Sequence, residues 1–532
     1  MKFQQYILRF VGVAFTLAVL MNARNASATS YYVNCAASSN GTGTSASPWN
    51  TLSSPNAHAF VAGDNIYFNR GTTCDGEFSP SGSGTSSSPI TVSAYGSGAI
   101  PIIDGQSNSA VFALTNQSYW TIENLELLHG VYYGLDVYAD NNTAINGIYV
   151  TDVTATGATH TSTSRNDSGE IYIVADAADS ATVSNSGVYG AWAGNTKVSE
   201  GIYISAGNYL SMTGAKGSNI YVENSTVSDV YGDGILVTNA NNVTYTSNVV
   251  TESGECPSCG SSTPGAIWVW NTSNAVMSWN ESYANSSWGG DGGGLDIDYW
   301  NTNVTAEYNY VHDNKGYCVS VFGAGNEATV NSIIRFNICI NNDNWGSSMA
   351  LGDFFLNTWG GGTLNGVEIY NNTSYWDSTL SNVDTLDDAA SFSGSNPSFF
   401  KNNLIYSPLE YPGMVNASSP ITLSNNLYYS SSSTPQYWFG YNGTWWDSFS
   451  TYQNDSGEDN DSIVANPLLG DPGYDVNNSW PDGDQYTPQS GSPAIGAGVN
   501  VCSGISGCSM GSYDFLGKSL PSSGFWIGAI QE

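Results

Sequence analysis

An asparagine followed by apolar or aromatic residues recurs at Asn224, Asn248, Asn280, Asn309, Asn337, Asn372, Asn403 and Asn426, with gaps of 24, 32, 29, 28, 35, 31 and 23 residues. Repeats of about 20 to 50 residues mark solenoids and propellers, because each unit can bury its apolar face only against its neighbours. Between the markers lie short alternating strands and turns of Gly, Asn and Ser, with no pattern long enough for a helix. These features fit a parallel β-helix, one coil per repeat, with asparagines stacked at a buried bend. A propeller would show more regular blades and antiparallel hairpins.

Aligning the coils on the strand after each Gly-rich turn places Ile171/Ile173, Ile202/Ile204, Ile235/Val237, Ile267/Val269, Leu295/Ile297 and Val319/Val321 inward. The outward positions then form two columns. One reads Tyr172, Tyr203, Leu236, Trp268, Asp296 and Ser320; the other reads Ser205, Thr238, Trp270 and Asp298. Coils stack about 4.8 Å apart, so the two tryptophans are expected directly beside the two aspartates on an exposed sheet.

The segment WGGDGGGLDIDYW, from Trp288 to Trp300, is the chemical centre of the chain. Residues i and i+2 on one strand face stand roughly 6.5 to 7 Å apart along the backbone, near the spacing at which two carboxyl groups work on a glycosidic bond. The preceding glycines leave room for something bulky against the backbone. An isolated Asp-x-Asp is an ordinary solvated strand face. Tryptophans in register turn it into a candidate saccharide platform, with Trp268, Trp270 and Tyr203 binding substrate beside catalytic Asp296 and Asp298.

Glu200, Asp233, Asp291 and Asp313 approach the same face from neighbouring turns, Asp313 as a third catalytic candidate and Glu200 and Asp233 as substrate contacts. His312 reads as a turn or surface residue. Lys315 and Arg335 lie twenty residues apart, close to one coil, and are two of very few bases. They suit either ion pairing with the acids or proton abstraction in a lyase.

Asp and Glu number 45 against 11 Lys and Arg, a net charge of −34. That balance argues against nucleic acid and anionic membranes as partners and weakens the case for a polyanionic substrate. Met1 to Ala28 has the charged start, apolar run and Ala-x-Ala end of a secretory signal peptide, so an exported protein is expected. Eight cysteines in such a chain favour disulfides, and their spacing suggests Cys35–Cys74, Cys256–Cys259, Cys318–Cys339 and Cys502–Cys508. A cap region over 29–89, with a short amphipathic helix near Leu52, precedes the coils of 90–430; an aromatic-rich and β-strand extension fills 431–532.

The stretches YYV, GTSASPWNTL, VAGDNIYFNRGTTCDG and YGSGAIPIIDG near the start, with GSPAIGAG and GFWIGAIQE near the end, resemble the right-handed parallel β-helix proteins of the pectate-lyase-like superfamily. The resemblance covers nearly the whole mature chain. It implies an all-β, right-handed parallel β-helix with an N-terminal cap and a C-terminal β segment, in a secreted, carbohydrate-active protein. The superfamily holds lyases, hydrolases, epimerases and non-catalytic adhesins, so fold alone does not choose a reaction.

Three functions are open at this point. The first is a glycoside hydrolase on a largely neutral polysaccharide, working through the aspartate pair without a cofactor. It is partly similar to β-helix hydrolases of the polygalacturonase kind, whose motifs place aspartates on adjacent coils with a histidine nearby, but their Arg-x-Lys signature is missing. The second is a lyase in which Asp291, Asp296 and Asp298 hold Ca²⁺ and Lys315 or Arg335 is the base. The third is a non-catalytic carbohydrate-binding adhesin. A monomer is expected in each case.

Overall fold

The computed structural model describes residues 28–161, 166–208, 213–256, 264–287, 290–343, 351–376, 384–409, 412–472, 480–481 and 485–531. The expected signal peptide up to residue 27, Trp288 and Cys259 lie outside the described residues.

The chain winds as a parallel β-helix with three faces. Among the described residues, a front sheet of thirteen strands runs from Ala110–Thr115 to Thr444–Trp446. A back sheet of fourteen begins at Ser30–Val33 and ends at Thr422–Ser424, and a side sheet of fourteen runs from Thr73–Asp75 to Ile463–Val464. Each coil visits front, back and side in turn, as in Asp233–Thr238, Ala240–Thr246 and Val249–Ser253. Parallel pairing extends beyond 90–430 at both ends: Ser30–Val33 already pairs with Asn65–Asn69, and Leu427–Ser430 with Ile463–Val464. The cap helix is one turn, Ser53–Asn56.

The inward residues expected from the alternation are the core. Ile171, Ile173, Ile202, Ile204, Ile235, Val237, Ile267, Val269, Leu295, Ile297, Val319 and Val321 are all fully buried in one continuous cluster. Burying each such side chain contributes about 1.5–3 kcal/mol, and stacking like on like lets every coil use the same packing. Cys35–Cys74, Cys318–Cys339 and Cys502–Cys508 are bonded as the spacing suggests. Cys256 is also disulfide-bonded.

The buried asparagines form a ladder between the back and side sheets. Asn248 Nδ2 donates to Asn280 Oδ1 at 2.9 Å, and the same contact repeats through Asn309, Asn337, Asn372 and Asn403 to Asn426. Asn426 Nδ2 then donates to Asp459 Oδ1. The residue before each rung has positive φ: Ser247, Trp279, Tyr308, Phe336, Asn371, Asn402 and Asn425. That backbone is costly for a large side chain. At the three bulky positions, ring stacking of Trp279 on Tyr308 (4.7 Å) and Tyr308 on Phe336 (6.0 Å) offsets the strain. Asn224 departs from the expectation. It is exposed, with φ +53, and Ser225 takes the rung position, its N–H donating to Asn248 Oδ1.

The aromatic segment after the last marker closes the solenoid. Trp438–Tyr441 and Thr444–Trp446 form an antiparallel hairpin, and the helix Phe449–Ser456 packs on it with Tyr452 stacked on Phe439 at 5.0 Å. The expected β segment from Ser492 onward is a correction: its described residues carry one isolated bridge pair, Tyr513 with Ser519, and otherwise turns. Its backbone groups bond instead to the coils' corner side chains, as when Asn371 Nδ2 donates to the Trp526 carbonyl and Asn402 Oδ1 accepts from Val499 N–H.

Candidate active site

The front sheet aligns the outward column in the expected register. Tyr172 pairs with Tyr203, Tyr203 with Leu236, Leu236 with Trp268, Trp268 with Asp296 and Asp296 with Ser320. In the second column Ser205, Thr238 and Trp270 are in register, and Asp298 follows directly after the strand Leu295–Ile297.

Exposure is where the structure corrects the expectation. The sheet face is not open: Trp268 is 2 % exposed, Asp296 7 % and Asp298 6 %. Tyr172, Val174, Tyr203, Leu236 and Trp268 form their own buried cluster outside the core, with Tyr133 and Trp270 packed against it. Trp268 and Tyr203 are therefore parts of a wall, and half-buried Trp270, with its ring 5.3 Å from that of Tyr299, is the better-placed stacking surface.

The glycines before the pair have a use the sequence did not disclose. A Cβ at Gly293 would lie 2.0 Å from the Tyr317 ring, so the bulky group that needs the space is a side chain of the next coil. Tyr317 is fully buried and packs with Phe322, Leu351 and Phe355. Burial pushes its hydroxyl well above the usual tyrosine range; the charges of Asp296, Asp291 and Asp298 push further, while Ser320 counteracts them. Tyr317 thus sits within the field of all three aspartates. Ser320 Oγ donates to Asp296 Oδ1 at 2.7 Å, and Asp298 Oδ1 accepts from the Tyr299 N–H.

The other candidates separate. Glu200 and Asp233 adjoin each other in register at the starts of two interior strands of the front sheet, and both are buried. Each ties down a turn: Glu200 Oε1 accepts from the Asn166 N–H at 3.0 Å and Asp233 Oδ1 from Gly265 N–H at 2.7 Å. Asp313 does not join the Asp296 column. It follows the side-sheet strand Tyr310–His312, where Oδ2 meets His312 Nδ1 at 2.9 Å. His312 is buried, against the expectation of a surface residue, and also contacts Glu281 at 3.3 Å. Burial pulls its pKa down, but the two carboxylates outweigh that and raise it.

Lys315 and Arg335 are not brought together. Lys315 lies in the turn before the front strand Val319–Ala324, where Nζ donates to the Ser287 carbonyl at 3.4 Å. Arg335 is on the back sheet, held by Glu307 at 2.6 Å and by the Tyr370 hydroxyl and Ser509 carbonyl. A separation of twenty residues crosses from one face of a three-sided coil to another, so it does not stack side chains. Among the described residues no three His, Cys, Asp or Glu side chains come close enough together to hold a metal ion.

Two further acids share the outward column and escaped the sequence reading. Asp136 is in register with Tyr172; its pKa is raised to about 7 by burial and by Glu77. Asp387 is in register with Phe355 and accepts from Asn416 Nδ2 at 2.8 Å. Continuing the alignment by one coil before Tyr172 and two beyond Ser320 reaches both.

No curated protein matches the chain in sequence. Among solved structures it is similar to the GH136 lacto-N-biosidase of Eubacterium ramulus, at 18% identity and a TM-score of 0.50 over 77% of this chain; it spans 65% of that enzyme's length. It also resembles XylC in complex with xylose (11% identity, TM-score 0.49, 94% of this chain and 98% of that one). A third likeness is to the alginate lyase of a Paenibacillus species (17% identity, TM-score 0.39, 64% and 99%). The right handed beta helix region matches residues 109–281 and 215–374, which together span half the sequence. The chain belongs to the right-handed β-helix family.

Proposed function

We propose that the protein is an exported glycoside hydrolase that cleaves a largely neutral polysaccharide, with Asp296 and Asp298 as its carboxyl pair. The observation that carries the reading is their placement two residues apart, Asp296 on the outer side of one short strand between Trp268 and Ser320 and Asp298 directly after that strand, both nearly dry. One carboxyl group donates a proton to the glycosidic oxygen. The other, ionised, activates water or attacks the anomeric carbon, and the separation of the two in the working enzyme decides between inversion and retention. A dry setting strengthens the charge interactions on which both steps depend. Trp270 offers a ring face to a sugar beside the pair.

The fold likeness to a lacto-N-biosidase supports a hydrolase within this family, and the disulfides among the described residues suit an exported chain. The charge of −34 disfavours polyanions. Against the lyase alternative stands the Arg335 guanidinium, which is engaged with Glu307 on the back sheet.

Incubation with neutral and acidic polysaccharides tests the reading, with reducing ends and the ultraviolet absorbance of unsaturated products followed together. Hydrolysis raises the first signal alone and survives EDTA. A rise in both that EDTA abolishes would replace the hydrolase with a calcium-dependent lyase.

A further inference from the structure

Two cavities adjoin each other on the back of the solenoid, away from the aspartate pair. One, of about 570 Å³, is walled by the turn from Phe392 to Phe399 together with Lys401, Thr422 and Ile505. The other, of about 330 Å³, is walled by Asn331, Ile333, Glu368 and the segment Ile505–Cys508. They share Asn396, Pro397 and Ile505, so they form one groove that passes beneath the loop closed by Cys502–Cys508. Each is within the size range, about 300–1,000 Å³, of sites that hold small ligands.

The lining alternates in character. Pro397 and Ile505 offer apolar surface, while Asn396, Ser393, Ser395 and Thr422 offer amides and hydroxyls. That mixture suits a sugar, whose ring has C–H faces and a hydroxyl rim. Lys401 adds a charge. It leaves the strand Phe399–Lys401 on the outer face, with Nζ 5.0 Å from the centre of the Phe399 ring. Its ammonium makes no ion pair among the described residues, although Glu458 is near enough to be felt. In a chain with 45 acids and 11 Lys and Arg, a half-buried cation that lies inside a cavity and forms no ion pair among the described residues is a specific arrangement. An ammonium in such a place is best matched by an anion that carries its own hydrogen-bond acceptors.

We propose that this groove is a second saccharide site that takes a uronate-bearing sugar, with the sugar carboxylate on Lys401 and its ring against Pro397 and Ile505. Lys401 lies on the back sheet and the aspartate pair on the front sheet, so the site goes beyond the hydrolase reading and stands or falls without it. A neutral backbone with occasional uronate branches would satisfy both sites at once.

The test is calorimetric titration of the Asp296→Asn protein, in which turnover is slowed about a hundredfold or more if the hydrolase reading holds. The ligands are trigalacturonate and the same trisaccharide with its carboxyl groups reduced to alcohols. Trigalacturonate is expected to bind. Lys401→Met should weaken it about tenfold or more, the usual loss for a charged hydrogen bond. Ser395→Trp, at an exposed turn position, should abolish binding by filling the cavity, with the thermal midpoint unchanged. The reduced trisaccharide should bind about tenfold more weakly than the acid, and Lys401→Met should not weaken it further. Absence of binding, equal affinity for both ligands, or affinity that survives Lys401→Met and Ser395→Trp would each overturn the proposal.

Discussion

Ser320 Oγ donates a hydrogen bond of 2.7 Å to Asp296 Oδ1 from the next coil of the front sheet. The contact fixes which way the carboxyl group faces, because Asp296 is otherwise bounded by Trp268 on the preceding coil. If Asp296 and Asp298 react with the substrate, Asp296→Asn and Asp298→Asn should each lower kcat about a hundredfold or more with the fold retained. Ser320→Ala should cost about tenfold in kcat and shift the pH profile, leaving KM nearly unchanged. Circular dichroism and steady-state kinetics on one preparation check both. Full activity in both Asn variants would move the active site elsewhere.

Trp268 and Trp270 should behave differently although they are neighbours on one strand. Trp268 is enclosed by Tyr203 and Leu236, so Trp268→Ala should destabilise the protein by about 3–5 kcal/mol, the cost of an aromatic cavity. Trp270→Ala, at a half-buried position, should leave the denaturation midpoint nearly in place and raise KM. Urea titrations beside kinetics separate the two outcomes.

Acid should stabilise this protein rather than unfold it over part of the range. Asp353 is fully buried, accepts from Asn342 Nδ2 and Ser374 Oγ, and burial raises its pKa from 3.8 to about 7. Between these values the unfolded chain releases a proton that the folded one keeps. Stability therefore falls as pH rises from about 4 to about 7 and is level above that. Buried Glu170, also raised to about 7 by burial, adds to the same slope. Urea midpoints across that range should show it, and Asp353→Asn should flatten it.

Arg335 is a fastener for the C-terminal segment. It joins Glu307 and Tyr370 on the back sheet to the Ser509 carbonyl, and the Tyr370 hydroxyl donates to the same carbonyl at 2.7 Å. Arg335→Met strands Glu307 and should cost about 3–5 kcal/mol, as when one partner leaves a buried ion pair. Limited proteolysis should cut first between 500 and 520 in the variant. kcat/KM at the front face should not change; a large loss there would restore Arg335 as a candidate base.

What the sequence made legible follows from its two periods. The alternation of Leu295 and Ile297 with Asp296 and Asp298 fixes which side chains face out. The Gly-rich turns fix the register, so Trp268 beside Asp296 could be read without coordinates. Burial could not be read, because it depends on side chains of later coils, such as Tyr317, which lies within the field of Asp296. The same locality misplaced Asn224 by one residue, since Ser225 can fill a rung through its backbone N–H. It also paired Lys315 with Arg335 by counting residues where the three-sided coil required counting faces.

The asparagine ladder has a polarity. Every side-chain amide from Asn248 to Asn426 hands its N–H to the following coil, and the last one meets the carboxyl group of Asp459, itself bonded by Ser462, Tyr428 and Tyr452. An interior rung donates forward and accepts from behind, whatever its neighbours are, so coils can be duplicated or lost there without leaving an amide unmatched. The terminus is different, because the group that receives the final N–H must accept it without carrying an amide N–H of its own to hand on, as the Asp459 carboxyl group does. A change in coil number through the middle of the molecule would therefore leave the ladder matched, whereas the closing plug works only while Asn426 and Asp459 stay together.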